Sequence, residues 1–210
     1  MKSAEKTKKL VVASLIIAVI VLMGFTPLGY IKIAMIEVTF LMIPVVIGAS
    51  VLGIGWGALF GGVFGITSFL QCFGYSAFGT ALFAINPFYT FLLCVVPRML
   101  MGFLAGVIFK AVSKIDKTKI ISFITTAISG ALLNTLFFVL MFLLFFRNSE
   151  ILGMQLAEMP VLDVVGVLVT FNALLEIIVC GVIGTAISKV ISKYVFKSKK
   201  NTSQKASLED

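Results

Sequence analysis

Apolar residues in this chain fall into long runs, with short polar interruptions between them. The runs show neither the alternation of a half-buried strand nor the one-sided stripe of a surface helix. A helix that crosses a bilayer needs about 20 mostly apolar residues. On that rule the pattern predicts six spans, near Leu10–Phe25, Val38–Leu52, Trp56–Leu70, Tyr89–Val112, Ile120–Phe146 and Val164–Ile187. The connections differ in character. "TPLGYIKIAMIE" holds a Pro-Leu-Gly turn and two charges, "GIGWG" is a very short link, and "QCFGYSAFGTALFAINPF" has turn residues but no charge. "SKIDKTK" is basic, and "RNSEILGMQLAEMPVLD" is polar and acidic.

Composition agrees with this pattern. Hydrophobic residues make up 60% of the 210 positions and charged residues only 12%, against about 25% charged in soluble domains. The reading is an all-α integral membrane protein, a compact bundle of six transmembrane helices. The first run is long, lacks a small-x-small cleavage site and is followed by further spans, so it reads as a span and not as a secretory signal.

The net charge of +8 matters through its placement. Lysines cluster at Lys2, Lys6, Lys8 and Lys9, at Lys110, Lys114, Lys117 and Lys119, and at Lys189, Lys193, Lys197, Lys199, Lys200 and Lys205. Six alternating spans put all three clusters on one face, and Glu150, Glu158 and Asp163 on the other. That is the positive-inside pattern, with both termini cytoplasmic. It also disfavours nucleic acid as the partner of the positive charge, since basic clusters beside spans set topology and touch anionic lipid. Residues 1–9 then form a basic cytoplasmic N-terminus, 10–195 the membrane domain and 196–210 a polar cytoplasmic tail.

Small residues recur every fourth position at Gly53, Gly57, Gly61 and Gly65, at Cys180, Gly184 and Ser188, and at Ser14 and Ala18. Such stripes let helix backbones approach closely. Each is either internal packing or a docking face for another membrane subunit. The glycine stripe suits the interior, and the Ser14–Ala18 pair is the better docking candidate.

Polar residues inside the spans are the candidate chemistry. Arg98 lies near mid-depth of the fourth span, about 15 Å along the helix at 1.5 Å per residue. An intramembrane guanidinium costs about 2.5–3.5 kcal/mol on insertion scales and commonly marks a substrate path. Asn134 is at mid-depth of the fifth span, and Asn172 and Glu176 share a face of the sixth. Thr39, Gln71, Asn86 and Tyr89 sit toward the outer ends. Together these outline a pocket that opens outward. A structural Arg98–Glu176 salt bridge and asparagine hydrogen bonds between helices are the competing readings. An arginine fork matches the two oxygens of a carboxylate, so a small carboxylate-bearing solute is the natural ligand. With no histidine, no metal-like spacing of Cys72, Cys94 and Cys180 and no phosphate-binding loop, no catalytic set, metal or cofactor is expected.

"TPLGYIKIAMIEVTFLMIPVVIGASVLGIGWGALFGGVFGITSF" resembles the first outer loop and second and third spans of the substrate-binding S components of energy-coupling-factor (ECF) vitamin transporters. "INPFYTFLLCVVPRMLMGFLAG" is similar to the fourth span of pantothenate-type members, with its Pro-Arg pair, and "NALLE" falls where the family tends to carry polar residues. The resemblance covers about residues 10–195. It implies a six-helix bundle that binds one vitamin near its outer side in the bacterial cell membrane. It also implies a coupling membrane subunit and two cytosolic ATPase subunits as partners, with ATP hydrolysis done by them and not by this chain. The family docks through alanines spaced by four in the first span; Ser14 and Ala18 fit that series and Leu22 departs from it.

One carboxylate, one amide and two hydroxyls make pantothenate the favoured vitamin for a single arginine with nearby amides. Folate, with two carboxylates, and riboflavin, which prefers an aromatic slot, are the other vitamins considered; thiamine is cationic. A stand-alone secondary transporter of a small anionic solute would be expected to show two similar halves with broken helices, and no repeat is visible. A membrane enzyme and a structural lipid-packing protein complete the alternatives.

Overall fold

A computed structural model describes residues 2–26, 29–33, 36–116, 120–151, 154–155 and 160–169. The elements in chain order are α1 (Lys2–Phe25), β1 (Tyr30–Ile33), β2 (Ile36–Thr39), α2 (Met42–Leu52), α3 (Ile54–Gln71), α4 (Ala77–Ile85), α5 (Pro87–Val112), α6 (Ile120–Phe146), β3 (Glu150–Ile151), β4 (Met154–Gln155) and α7 (Val161–Val169). Among the described residues, four helices are long and apolar enough to cross a membrane: Glu5–Phe25, Ile54–Gln71, Pro87–Val112 and Ile121–Phe146. Only the first part of the expected sixth span is described, as α7; its remainder, with Asn172 and Glu176, lies outside the described residues.

The expected second span is shorter than the sequence suggests. Ile36–Thr39 pairs with Tyr30–Ile33 as an antiparallel hairpin, in a register that sets Lys32 opposite Glu37. The run "IEVT", rich in β-branched residues, suits a strand. Helix α2 therefore begins only at Met42. Its 11 residues cover about 16 Å at 1.5 Å per residue. Nine of them, Met42 to Ser50, are buried, so protein and not lipid surrounds this short helix.

Gly53 joins α2 to α3 with φ of 105°, and its N–H reaches the Ala49 carbonyl at 3.1 Å. A positive φ there turns the chain within one residue, which glycine does without steric penalty. The next three members of the glycine stripe have a different task. Each lies against the backbone of α5: a methyl on Gly57 would strike the Gly102 carbonyl, one on Gly61 the Arg98 carbonyl, and one on Gly65 would sit 2.6 Å from the Val95 Cα. From the other side, Gly102 faces the Gly57 carbonyl and Gly106 faces Ile54. The stripe is internal packing, and α3 with α5 is the most extensive helix pair.

The charge-free link after α3, expected to be a plain connection, contains a helix, α4. Ser76 caps α4, its Oγ accepting from the Gly79 N–H at 3.2 Å. Asn86 ends α4 and caps α5, with Pro87 in the first turn. Beyond α5, Asp116 Oδ2 accepts from the Ser122 N–H at 2.9 Å and from its hydroxyl at 3.1 Å, anchoring the start of α6.

Two apolar clusters hold the bundle. One joins α1, α2, α3, α5 and α6 around Ile20, Met42, Val45, Phe60, Phe64 and Met101. The other surrounds Leu82, Leu93, Phe142, Phe146, Ile151 and Val164. Meanwhile Leu132, Leu136, Leu140 and Leu144 are exposed every fourth residue along α6. In water such a row would be a liability; facing lipid tails it is neutral.

The α3–α5 contact makes a comparison possible within one helix. Gly61→Leu overpacks the Arg98 backbone and is expected to cost at least the 1–3 kcal/mol typical of overpacking (about). Gly55→Leu, at a position with nothing within 4 Å, is expected to be near neutral. Thermal unfolding of the two variants in detergent or nanodiscs checks this; equal midpoints would contradict the packing.

Candidate functional site

Arg98 lies inside the bundle and is 8% exposed. Its Cζ sits 5.0 Å from the Phe138 ring centre on α6 and 5.6 Å from the Phe64 ring centre on α3. Both distances are within cation–π range. Its Nη1 donates to the Leu93 carbonyl, five residues earlier on the same helix, at 2.8 Å. The Nε of Arg98 is buried and has no hydrogen-bond partner among the described residues. Among those residues the charge is held by two aromatic faces and one carbonyl dipole, none of which neutralises it.

A second group unsatisfied among the described residues lies on α6. Asn134 of α6 is 5% exposed, and its Oδ1 is also buried without a partner. Phe138, whose ring covers Arg98, lies one turn beyond Asn134, so the two residues share a face of α6. An orphaned donor on α5 and an orphaned acceptor on α6 therefore belong to the same side of the bundle interior. A buried polar atom without a partner costs about 1–3 kcal/mol, which a ligand with complementary groups would recover. Buried hydroxyls of the surrounding helices bond to their own backbones instead: Thr67 to the Phe64 carbonyl at 2.8 Å and Thr90 to the Asn86 carbonyl at 2.9 Å.

The other candidates are placed as follows. Gln71, at the end of α3, donates from Nε2 to the Gly24 carbonyl of α1, tying two helix ends together. Thr39 is buried at the end of β2, where its Oγ1 accepts from the Leu41 N–H at 3.4 Å. Asn86 uses its Oδ1 to accept from the N–H groups of Phe88 and Tyr89, both at 3.1 Å. Tyr89 is exposed and stacks on Phe145, with ring centres 4.9 Å apart and planes 5° apart. Asn86 and Tyr89 stand about 18 and 14 Å along the α5 axis from Arg98 at 1.5 Å per residue, so the structure does not gather them at the guanidinium. Asn172 and Glu176 lie outside the described residues, and the Arg98–Glu176 pairing with them.

Phe64 and Phe138 were not singled out from the sequence. With 20 phenylalanines in the chain, nothing in their local pattern distinguishes the two that cover a cation. Cys94, one turn before Arg98, lies with its Sγ 3.9 Å from that of Cys72. Among the described residues no group of His, Cys, Asp or Glu could hold a metal ion.

On the far side of the bundle, Ser14 and Ala18 are exposed on α1. They line an open apolar groove with Ile17, Val21, Leu22, Phe25 and Thr26. The Ser14 hydroxyl is turned back onto the Leu10 carbonyl at 2.9 Å, so it leaves the groove weakly polar.

Comparison with curated proteins gives no match. The chain does match a protein family, described as "ECF transporter, substrate-specific component", over residues 8–188. That range contains the buried arginine, the α1 groove, three of the four membrane-length helices whole and all but the first three residues of the other, Glu5–Phe25. The family's members are substrate-binding transporter subunits and not enzymes. The chain belongs to the ECF transporter substrate-specific component family, and is a multi-pass membrane subunit that works with the transmembrane and ATPase subunits of such a transporter.

Proposed function

We propose that this chain binds a small carboxylate-bearing vitamin, pantothenate before others, with Arg98 and Asn134 as the central contacts. The observation that carries the reading is the pair of buried, unpartnered polar atoms, Arg98 Nε and Asn134 Oδ1. The guanidinium calls for an anionic acceptor, and the amide oxygen for a hydroxyl or N–H donor. Pantothenate carries both, with a single carboxylate to match the single buried arginine. Asn172 and Glu176 complete the ligand shell from the sixth span. Thr39, Gln71 and Asn86 shape the outer rim through the backbones they fix, and Tyr89 through its stack on Phe145.

In this reading the bundle has six spans with both termini cytoplasmic, and the ligand enters from outside a bacterial plasma membrane. The α1 face bearing Ser14 and Ala18 meets the coupling transmembrane subunit, which joins the chain to two cytosolic ATPases. Exposure of that face, with its open groove, supports the assignment.

Titration of the purified full chain with a vitamin panel tests the ligand. Pantothenate is expected to bind tightly and with one-to-one stoichiometry. Arg98→Ala is expected to weaken it roughly 100-fold or more, since two charge-assisted hydrogen bonds of about 1.5–3 kcal/mol each are lost. Arg98→Lys should recover little, because an ammonium offers no fork. Binding unchanged in Arg98→Ala would return the residue to a structural role, and preference for folate or riboflavin would reassign the vitamin.

Docking is tested separately. Ala18→Trp fills the α1 groove and is expected to prevent co-purification with the coupling and ATPase subunits while leaving ligand affinity unchanged. A fall in affinity with the complex intact would instead make that face part of the internal packing.

A further inference from the structure

Arg98 follows a proline, and the proline explains which atom the guanidinium holds. In an α-helix the carbonyl of residue i−4 accepts from the N–H of residue i. Pro97 lies inside α5 and has no N–H. The carbonyl four residues before it belongs to Leu93, which is fully buried. That carbonyl is the one that accepts from Arg98 Nη1, at 2.8 Å. In a bilayer interior an unfilled backbone acceptor is costly because no water can serve it. Proline creates the vacancy, and the next side chain fills it.

The choice of nitrogen has a consequence for recognition. A guanidinium grips a carboxylate most simply along one edge, with two parallel N–H bonds. Fixing Nη1 at Leu93 leaves the opposite edge, Nε with Nη2, for an incoming anion, and Nε is the atom without a partner. Phe64 and Phe138 limit tilt of the plane, at 5.6 and 5.0 Å from Cζ. We infer that Pro97 is a positioning residue for the ligand site: by withholding an N–H from Leu93 it orients Arg98 so that the Nε–Nη2 edge meets a carboxylate side-on. This rests on the reading of Arg98 as the carboxylate-binding group.

The test separates the missing N–H from the shape of the proline ring. In Pro97→Ala a backbone N–H returns and competes for the Leu93 carbonyl. In a second variant, position 97 carries the α-hydroxy acid analogue of alanine, introduced by nonsense suppression; it has the same side chain but an ester oxygen in place of N–H. Pantothenate affinity of the full chain in nanodiscs is expected to fall about tenfold in Pro97→Ala, in line with one hydrogen bond to a charged group, and to return to near wild type in the ester variant. Loss in both variants would assign the effect to the ring and overturn the inference, as would no loss in Pro97→Ala.

A ligand-free readout keeps this apart from the identity of the vitamin. The chain has two arginines, Arg98 and Arg147, so nitrogen-15 labelling of arginine gives two guanidinium groups to observe by NMR. Hindered rotation about the Cζ–Nη1 bond of Arg98 is expected in the wild type and the ester variant, and free rotation in Pro97→Ala. If the spectra behave so and no carboxylate solute binds, the ligand reading fails and the positioning stands. If the rotation is the same in all three, the positioning fails whatever binds.

Discussion

The interior of this bundle is organised around a buried cation, Arg98, that meets no acid among the described residues. Arg98 is held by two ring faces and a carbonyl, all electrically neutral. These partners replace part of the lost hydration without cancelling the charge. Full neutralisation would need an acid, and a permanent one would close the site. The close approach of α3 to α5 is part of the same arrangement. Gly61 backs onto the Arg98 carbonyl and Gly65 onto Val95, and Phe64, beside Gly65, reaches the guanidinium. Larger residues in the stripe would push α3 outward and take that ring away.

The rest of the fold follows from what lipid permits. Helices long enough to cross carry their leucines outward, as α6 does at Leu132, Leu136, Leu140 and Leu144. Segments too short to cross sit elsewhere. Helix α2 is buried by its neighbours, and the strands of the β1–β2 hairpin pair with each other. Irregular chain near a membrane is tolerated where protein covers it or where its hydrogen bonds are internal.

Much of this was legible in the sequence, and the misses share a cause. Long apolar runs gave α1, α3, α5 and α6 because length and composition alone define a span. The four-residue glycine repeat marked a close contact, and its partner, α5, came only from the structure. Helix α4 was missed because its nine residues lie between Gly74 and Pro87 and include Gly79, a pattern that reads as a link. Thr39 was read as part of a span's outer end, where the chain forms a strand. Polar residues were harder still. Sequence position shows that Asn86 and Gln71 lie near helix ends, but not that the Asn86 oxygen is used on two N–H groups or that Gln71 ties α3 to α1. Arg98 and Asn134 stood out from the same background because mid-span depth leaves few backbone groups unfilled. The Pro-Arg pair is the exception, and it was visible as letters before its meaning was.

The α1 face proposed for docking and the arginine proposed for binding are separated by α3. Helix α1 packs chiefly on α3 and α2, and the guanidinium is enclosed by α3, α5 and α6. Among the described residues, whatever covers the α1 groove therefore acts on the arginine through the helices between them. The Gln71–Gly24 hydrogen bond fixes the end of α1 to the end of α3, and Gly24 lies against Thr67, one turn from Phe64. Movement of α1 relative to α3 would be felt first at that joint, and next at the ring that covers the charge. On the proposed reading, docking and binding surfaces placed on opposite sides of α3 can change independently, while α3 keeps them mechanically joined.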